Sequence, residues 1–97
     1  MEFLTNKLEK YLNLMQAMTL TTKSKTTKLL LEFVLKNFDN LWTLDRQQWA
    51  SALGISKPSL DYYFYRSKLI TIKDLLFYSR LAYEINLEKK DNTNDQN

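Results

Sequence analysis

Apolar side chains recur every three or four residues along most of the chain, which is the spacing of one face of an α-helix. The pattern predicts helices over residues 2–18, 27–42 (with a break at Asp39-Asn40) and 71–88, and two short helices between residues 44 and 66. A single Gly and a single Pro, with many Leu, Lys and Asn residues, favour the same class. We therefore predict an all-α fold of about five helices, forming one domain over residues 1–88.

The first predicted helix carries a seam of apolar residues at alternating spacings of four and three: Leu4, Leu8, Tyr11, Met15 and Met18. This spacing is typical of a coiled coil, and it continues for about two heptads. So short a seam fits either a dimerisation helix or a helix that packs on its own domain. The sequence leaves both open.

The segment of residues 44–66 has the local signals of two helices joined by a tight turn. Asp45 and Gln48 are spaced as a capping box at the start of the first helix. Gly54 suits the left-handed conformation that ends a helix, and Ser56 followed by Pro58 suits the start of the next one. This order predicts a helix–turn–helix, whose second helix typically enters the major groove of DNA.

Apolar residues divide the two short helices into an inner and an outer side. We expect Trp49, Ala50 and Leu53 to pack against Leu60, Tyr63 and Phe64 as core. The remaining positions of the second helix face outward, and basic and aromatic side chains there can reach phosphates and base edges. The base-reading candidates are Lys57, Ser59 and Tyr62, with Tyr65 also outward. The phosphate-binding candidates are Arg66, Lys68, Arg46, Lys25 and Lys28. Asp61 is expected to accept a hydrogen bond from a cytosine amino group.

The run from Gly54 to Phe64, Gly-Ile-Ser-Lys-Pro-Ser-Leu-Asp-Tyr-Tyr-Phe, followed by Ser67-Lys68, resembles the DNA-binding segment of tetracycline-repressor-type regulators. That family carries Gly-Val-Ser-Lys-x-x-Leu-Tyr-x-x-Phe and then a Ser-Lys pair. The resemblance implies DNA contacts for Lys57 and Ser59, groove-facing positions for Asp61 and Tyr62, and a phosphate clamp at Lys68.

The resemblance covers roughly residues 27–76 and has departures. One extra residue lies before Ser67, Asp61 stands where the family usually has an aromatic residue, and no ligand-binding domain is expected in so short a chain. Arabinose-regulator-type proteins are similar at Ser56, Leu60, Phe64 and Arg80.

Charge is unevenly distributed along the chain. The formal net charge is +3, but residues 21–73 hold nine Lys or Arg against four acidic residues. The basic excess therefore surrounds the predicted helix–turn–helix, which is the electrostatic pattern of a nucleic-acid-binding segment.

The last predicted helix begins at a second capping-box spacing, Thr71 with Asp74, and is apolar in almost every direction. We expect part of it to form a symmetric homodimer interface, because so small a domain cannot easily bury all of it. A winged helix with residues 69–72 as a strand is the alternative. Residues 89–97 contain no apolar side chain and are predicted to form a disordered tail.

The composition excludes most enzyme chemistry. With no His, no Cys and no glycine-rich phosphate loop, the chain lacks the usual catalytic bases, nucleophiles and metal ligands, so we expect no enzyme activity, no cofactor and no metal. No apolar run is long enough for a membrane span, and the absence of Cys suits a reducing compartment. We expect a soluble cytoplasmic protein without a membrane partner.

The leading functional hypothesis is a small dimeric regulator of transcription or replication that binds double-stranded DNA at an inverted repeat. The composition suits a plasmid, phage or mobile-element protein. A first alternative is a protein-interaction module on a helix–turn–helix scaffold, such as an antirepressor or an RNA-polymerase accessory factor. A second is single-strand or RNA binding, with Tyr62, Tyr65 and Tyr78 as stacking platforms.

Overall fold

A computed structural model describes residues 2–67 and 70–95, and this part of the chain is all-α, as predicted. Its elements are α1 (Glu2–Thr21), α2 (Lys25–Lys36), a 3₁₀ helix (Phe38–Thr43), α3 (Arg46–Leu53), α4 (Lys57–Ser67) and α5 (Ile72–Asp95). Residues 70 and 71 form no strand, while Leu69 lies outside the described residues. None of the described helices is long and apolar enough to cross a bilayer.

Local capping signals set several of these boundaries. The Ser24 hydroxyl accepts a hydrogen bond from the Thr27 N–H and begins α2, slightly earlier than the predicted start at residue 27. The Thr71 hydroxyl accepts from the Asp74 N–H at 3.1 Å and begins α5. At the other end, α5 does not stop at residue 88 as predicted but continues to Asp95. No Gly or Pro interrupts residues 89–95, and the two lysines there favour helix. Residues 96 and 97 of the predicted tail lie outside the described residues.

The core is a continuous apolar cluster to which every element contributes. Buried positions come from α1 (Leu8, Met15), α2 (Leu30, Leu31, Val34), the 3₁₀ helix (Phe38, Leu41), α3 (Trp49, Ala50), α4 (Leu60, Phe64), residue Ile70, and α5 (Leu75, Leu81, Ala82, Ile85). The α1 seam is part of this cluster, with Leu4, Tyr11 and Met18 half-buried against it. The seam therefore packs on its own domain.

The 3₁₀ helix fits against α5 and lies around the break predicted at Asp39-Asn40 within residues 27–42. Asn37 ends α2, since its backbone N–H and its side-chain amide both donate to the Phe33 carbonyl. The Trp42 backbone N–H then donates to the Ser79 hydroxyl at 3.0 Å, and Ser79 is fully buried in α5. This bond fixes the connection between α2 and α3 onto the last helix.

Tyr11 lies between aromatic rings of two other elements. Its ring stacks on Tyr78 of α5 with centroids 4.1 Å apart and lies 6.2 Å from Phe38. The hydroxyl is buried and has no hydrogen-bond partner among the described residues. Burial, with smaller contributions from the Asp74 carboxylate and the Tyr78 hydroxyl, raises the pKa of Tyr11 far above its ordinary value of 10.0. The stack also occupies Tyr78, so this tyrosine does not offer a free platform for a nucleic-acid base.

Candidate nucleic-acid interface

The first helix of the candidate interface begins at the predicted capping box. The Asp45 carboxylate accepts from the Gln48 N–H at 2.8 Å, and the Gln48 side-chain oxygen accepts from the Asp45 N–H at 2.9 Å. Two of the unpaired N–H groups at the start of α3 are thereby satisfied. The cap fixes the residue at which α3 begins after the 3₁₀ helix.

The turn between α3 and α4 is closed by Gly54 and Ser56. Gly54 is left-handed, with φ of 73°, and the Ile55 N–H bonds back to the Ala50 carbonyl at 3.0 Å. The Ser56 hydroxyl then accepts from the Ser59 N–H at 3.3 Å and caps α4. A chain with one glycine thus uses it where the left-handed conformation is needed.

The inner side of α4 packs against α3 and α2. Leu60 is fully buried, and the Phe64 ring lies 5.9 Å from the Trp49 ring, tilted by 44°. The Trp49 indole N–H donates to the Leu41 carbonyl at 3.2 Å, so this buried ring leaves no polar atom unpaired. Ala50 of α3 is fully buried, and α3 and α4 are in contact. These are the inward positions that the sequence predicted, except that Leu53 and Tyr63 are only half-buried.

The outer side of α4 carries cations at its two ends and aromatic rings between them. Lys57 and Arg66 are exposed, and Tyr62 and Tyr65 are 53% and 75% exposed. The Arg66 guanidinium lies 5.9 Å from the centre of the Tyr62 ring, one helical turn away. Tyr62, Tyr65 and Arg66 therefore share one accessible face, and Lys57 is exposed at the N-terminal end of the helix.

Ser59 has a more structural environment than the sequence suggested. It is half-buried, and its hydroxyl accepts a hydrogen bond from the Ser56 hydroxyl at 2.9 Å. The two serines form a cap in which Ser59 is a partner of Ser56. Its hydroxyl hydrogen can still donate to an acceptor outside the protein.

Arg46 and Asp61 form an ion pair that the sequence analysis missed. The Arg46 Nη1 lies 3.0 Å from the Asp61 Oδ1, which links the first turn of α3 to α4, and both side chains are almost half exposed. They are 15 residues apart in the chain, so no helical periodicity relates them. The pair cancels one positive and one negative charge beside the outer side of α4. One Asp61 oxygen is thus occupied, while the carboxylate has further acceptor positions.

Lys25 and Lys28 are exposed in the first turn of α2, where they border a shallow depression with Leu29 and Glu32. No ion pair or hydrogen bond among the described residues joins them to α4. They remain phosphate candidates on a different helix. Lys68 lies outside the described residues.

A groove of about 380 Å³ opens between α1, the end of α2 and the second half of α5, and sequence reasoning did not find it. Apolar residues such as Leu12 and Ile85 form part of its wall, and Glu9, Lys36 and Asp39 add charges of both signs. Residues from three distant parts of the chain meet here, which explains why no local pattern indicated it. Within residues 2–67 and 70–88, whose side chains the structure describes, no cluster of three acidic side chains is arranged to hold a metal ion.

Comparison with family models, curated proteins and solved structures returns no match for this chain.

Proposed function

We propose that the protein binds double-stranded DNA and that α4 is its recognition helix in the major groove. The observation that carries this proposal is the division of α4 into a buried inner side and an accessible outer side. Leu60 and Phe64 hold the helix on the domain, while Lys57, Tyr62, Tyr65 and Arg66 remain exposed. A helix that is held on the domain in this way and carries exposed cations and aromatic rings suits the major groove of DNA, which is lined by phosphates and base edges.

The proposed roles follow from position on the helix. Lys57, at the N-terminal end, and Tyr62, near the centre, are base-edge readers. Arg66, at the C-terminal end, binds a phosphate, and the ring of Tyr62 beneath its guanidinium limits where the cation can point. Asp61 faces cytosine amino groups with its remaining acceptor positions, and Arg46 orients its carboxylate.

A double substitution of Lys57 and Arg66 to Ala tests these roles. Both side chains are exposed, so the fold is expected to survive while one base-edge contact (Lys57) and one phosphate contact (Arg66) are lost. The slope of log affinity against log salt should become shallower by about 0.9, and affinity at low salt should fall. Fluorescence anisotropy with a labelled duplex at several salt concentrations measures both quantities.

The matched control is the replacement of Lys7 and Lys10 by Ala, which removes the same charge from exposed positions of α1. This control should keep the wild-type slope. If the α4 variant binds like wild type, or if both variants weaken binding equally, α4 is not the DNA-reading helix.

A second candidate function is protein binding by the same face, and two observations favour it. Tyr62 and Tyr65 expose large aromatic surfaces, and the Arg46–Asp61 pair lowers the positive charge beside them. Tyrosines of this kind are typical anchors of protein interfaces. A photo-crosslinking residue in place of Tyr65 distinguishes the two functions, because it captures a duplex in the first case and a polypeptide in the second.

A further inference from the structure

The outer face of α5 carries a stripe of side chains spaced like the seam of a coiled coil. Leu76, Arg80, Tyr83 and Leu87 follow one another at intervals of four, three and four residues. All four are exposed, whereas buried residues such as Leu81 and Ile85 lie on the opposite side of the helix. We define these four residues as the α5 stripe.

Contacts with neighbouring side chains hold the centre of the α5 stripe in place. Tyr83 packs against the Trp42 ring at 5.2 Å, and the Arg80 guanidinium lies over the same ring at 4.4 Å. Arg80 also pairs with Glu84 one turn later, with 3.1 Å between Nε and Oε1. The centre of the stripe is therefore ordered and locally neutral, which lowers the entropy cost of covering it.

Charge at the two ends of the stripe indicates how the partner lies. Lys73 stands before the stripe and Glu88 follows it, both exposed and on the same flank of the helix. A second copy of α5 running antiparallel brings Lys73 close to Glu88 at both ends of the pair, with an offset of about 3 Å along the axis. A parallel copy would place both Lys73 side chains at one end and both Glu88 side chains at the other, so this pairing of opposite charges would not form.

We infer that the α5 stripe is a homodimer interface in which two copies of α5 pack antiparallel about a two-fold axis. In this register Leu76 of each copy meets Leu87 of the other, and Arg80 meets Tyr83. Such a self-complementary face is what an isologous interface requires. The stripe spans roughly 16 Å from Leu76 to Leu87 at 1.5 Å per residue, so the dimer is expected to dissociate on dilution. The role of this dimer in DNA binding rests on the proposed function. A protein with two-fold symmetry matches an inverted repeat, which has the same symmetry.

Charge-reversal substitutions at single positions of the full chain, studied by sedimentation equilibrium, test the antiparallel pairing. Lys73→Glu alone and Glu88→Lys alone each set like charges opposite each other and should weaken the dimer several-fold. The double variant restores opposite charges at both ends and should return the dissociation constant to the wild-type value. Lys10→Glu on α1 is the matched control and should leave the dimer unchanged. Failure of the double variant to recover affinity would overturn the antiparallel register.

The apolar contribution is tested by Leu76→Gln together with Leu87→Gln, compared with Leu14→Gln on the exposed side of α1. The first variant should be monomeric at concentrations where wild type is a dimer, and the second should remain a dimer. A wild-type chain that is monomeric throughout, or a dimer insensitive to the α5 changes, would overturn the interface. Both measurements are made without DNA, so a stable dimer that binds no duplex would contradict the proposed function alone.

Discussion

At the scale of single residues, the Tyr11 hydroxyl stands out because it is buried and finds no hydrogen-bond partner in the part of the chain that the structure describes. Its ring stacks on the Tyr78 ring and so contributes to packing. Its hydroxyl oxygen is removed from water at the same site. A buried polar group without a hydrogen bond lowers stability, whereas the ring beside it raises stability. Phenylalanine would keep the ring and remove the oxygen.

We therefore predict that Tyr11→Phe raises the free energy of unfolding by about 1 kcal/mol at pH 7. Because the folded state raises the pKa of Tyr11, wild type keeps its full stability below pH 10 and loses part of it as the unfolded chain deprotonates above that pH. The variant lacks this loss at residue 11, so its advantage should widen in alkali. Urea unfolding at pH 7 and above pH 10 measures both effects.

Tyr65→Phe is the control for the same chemical change, since Tyr65 is mostly exposed. Its stability should match that of wild type at pH 7. A Tyr11→Phe protein less stable than wild type would mean that the hydroxyl is hydrogen-bonded in solution.

At the scale of elements, the Arg46–Asp61 pair joins the start of α3 to the outer side of α4. Its side chains are almost half exposed, so its contribution to stability is small, within about 1 kcal/mol. Its effect on charge is more important. Asp61 is the acidic residue of α4, and its ion pair with Arg46 neutralises both charges beside the outer side of that helix. The pair thus couples the fold of the two short helices to the chemistry of the proposed DNA face.

Asp61→Asn should separate these effects. We predict a change in the free energy of unfolding below about 1 kcal/mol, with tighter duplex binding at low salt because Arg46 becomes available to a phosphate. The salt slope should steepen by about 0.9. At the base pair facing residue 61, preference should move from cytosine toward adenine, since asparagine pairs with adenine edges.

Binding to duplexes that vary at single positions measures this preference, with Glu9→Gln on α1 as the charge-matched control. Weaker binding with unchanged base preference would show that Asp61 does not face the groove.

Across the whole molecule, the features that could be predicted are those encoded within a few residues. The Asp45–Gln48 box, the left-handed Gly54 and the Thr71 cap each depend on neighbours three residues away or fewer, and the structure has each where the sequence indicated. The inward positions of α4 followed from helical spacing in the same way. Local chemistry therefore located the two short helices and their turn.

Features that depend on distant residues could not be predicted. The sequence indicates a break at Asp39-Asn40 but does not say that Trp42 bonds Ser79, because 37 residues separate them, and so the 3₁₀ helix was not predicted. Periodicity showed that α1 has an apolar seam but not what the seam packs against. The groove between α1 and α5 and the Arg46–Asp61 pair likewise arise only when the elements meet.

The central claim is that this small helical domain reads double-stranded DNA, and a salt titration of binding to mixed genomic duplex fragments tests it most directly. The folded full chain is incubated with the fragments at increasing salt, and the bound fragments are sequenced. The account predicts enrichment of a short inverted repeat and an affinity that falls steeply as salt rises. A folded protein that enriches no sequence and retains no duplex at low salt would contradict the claim.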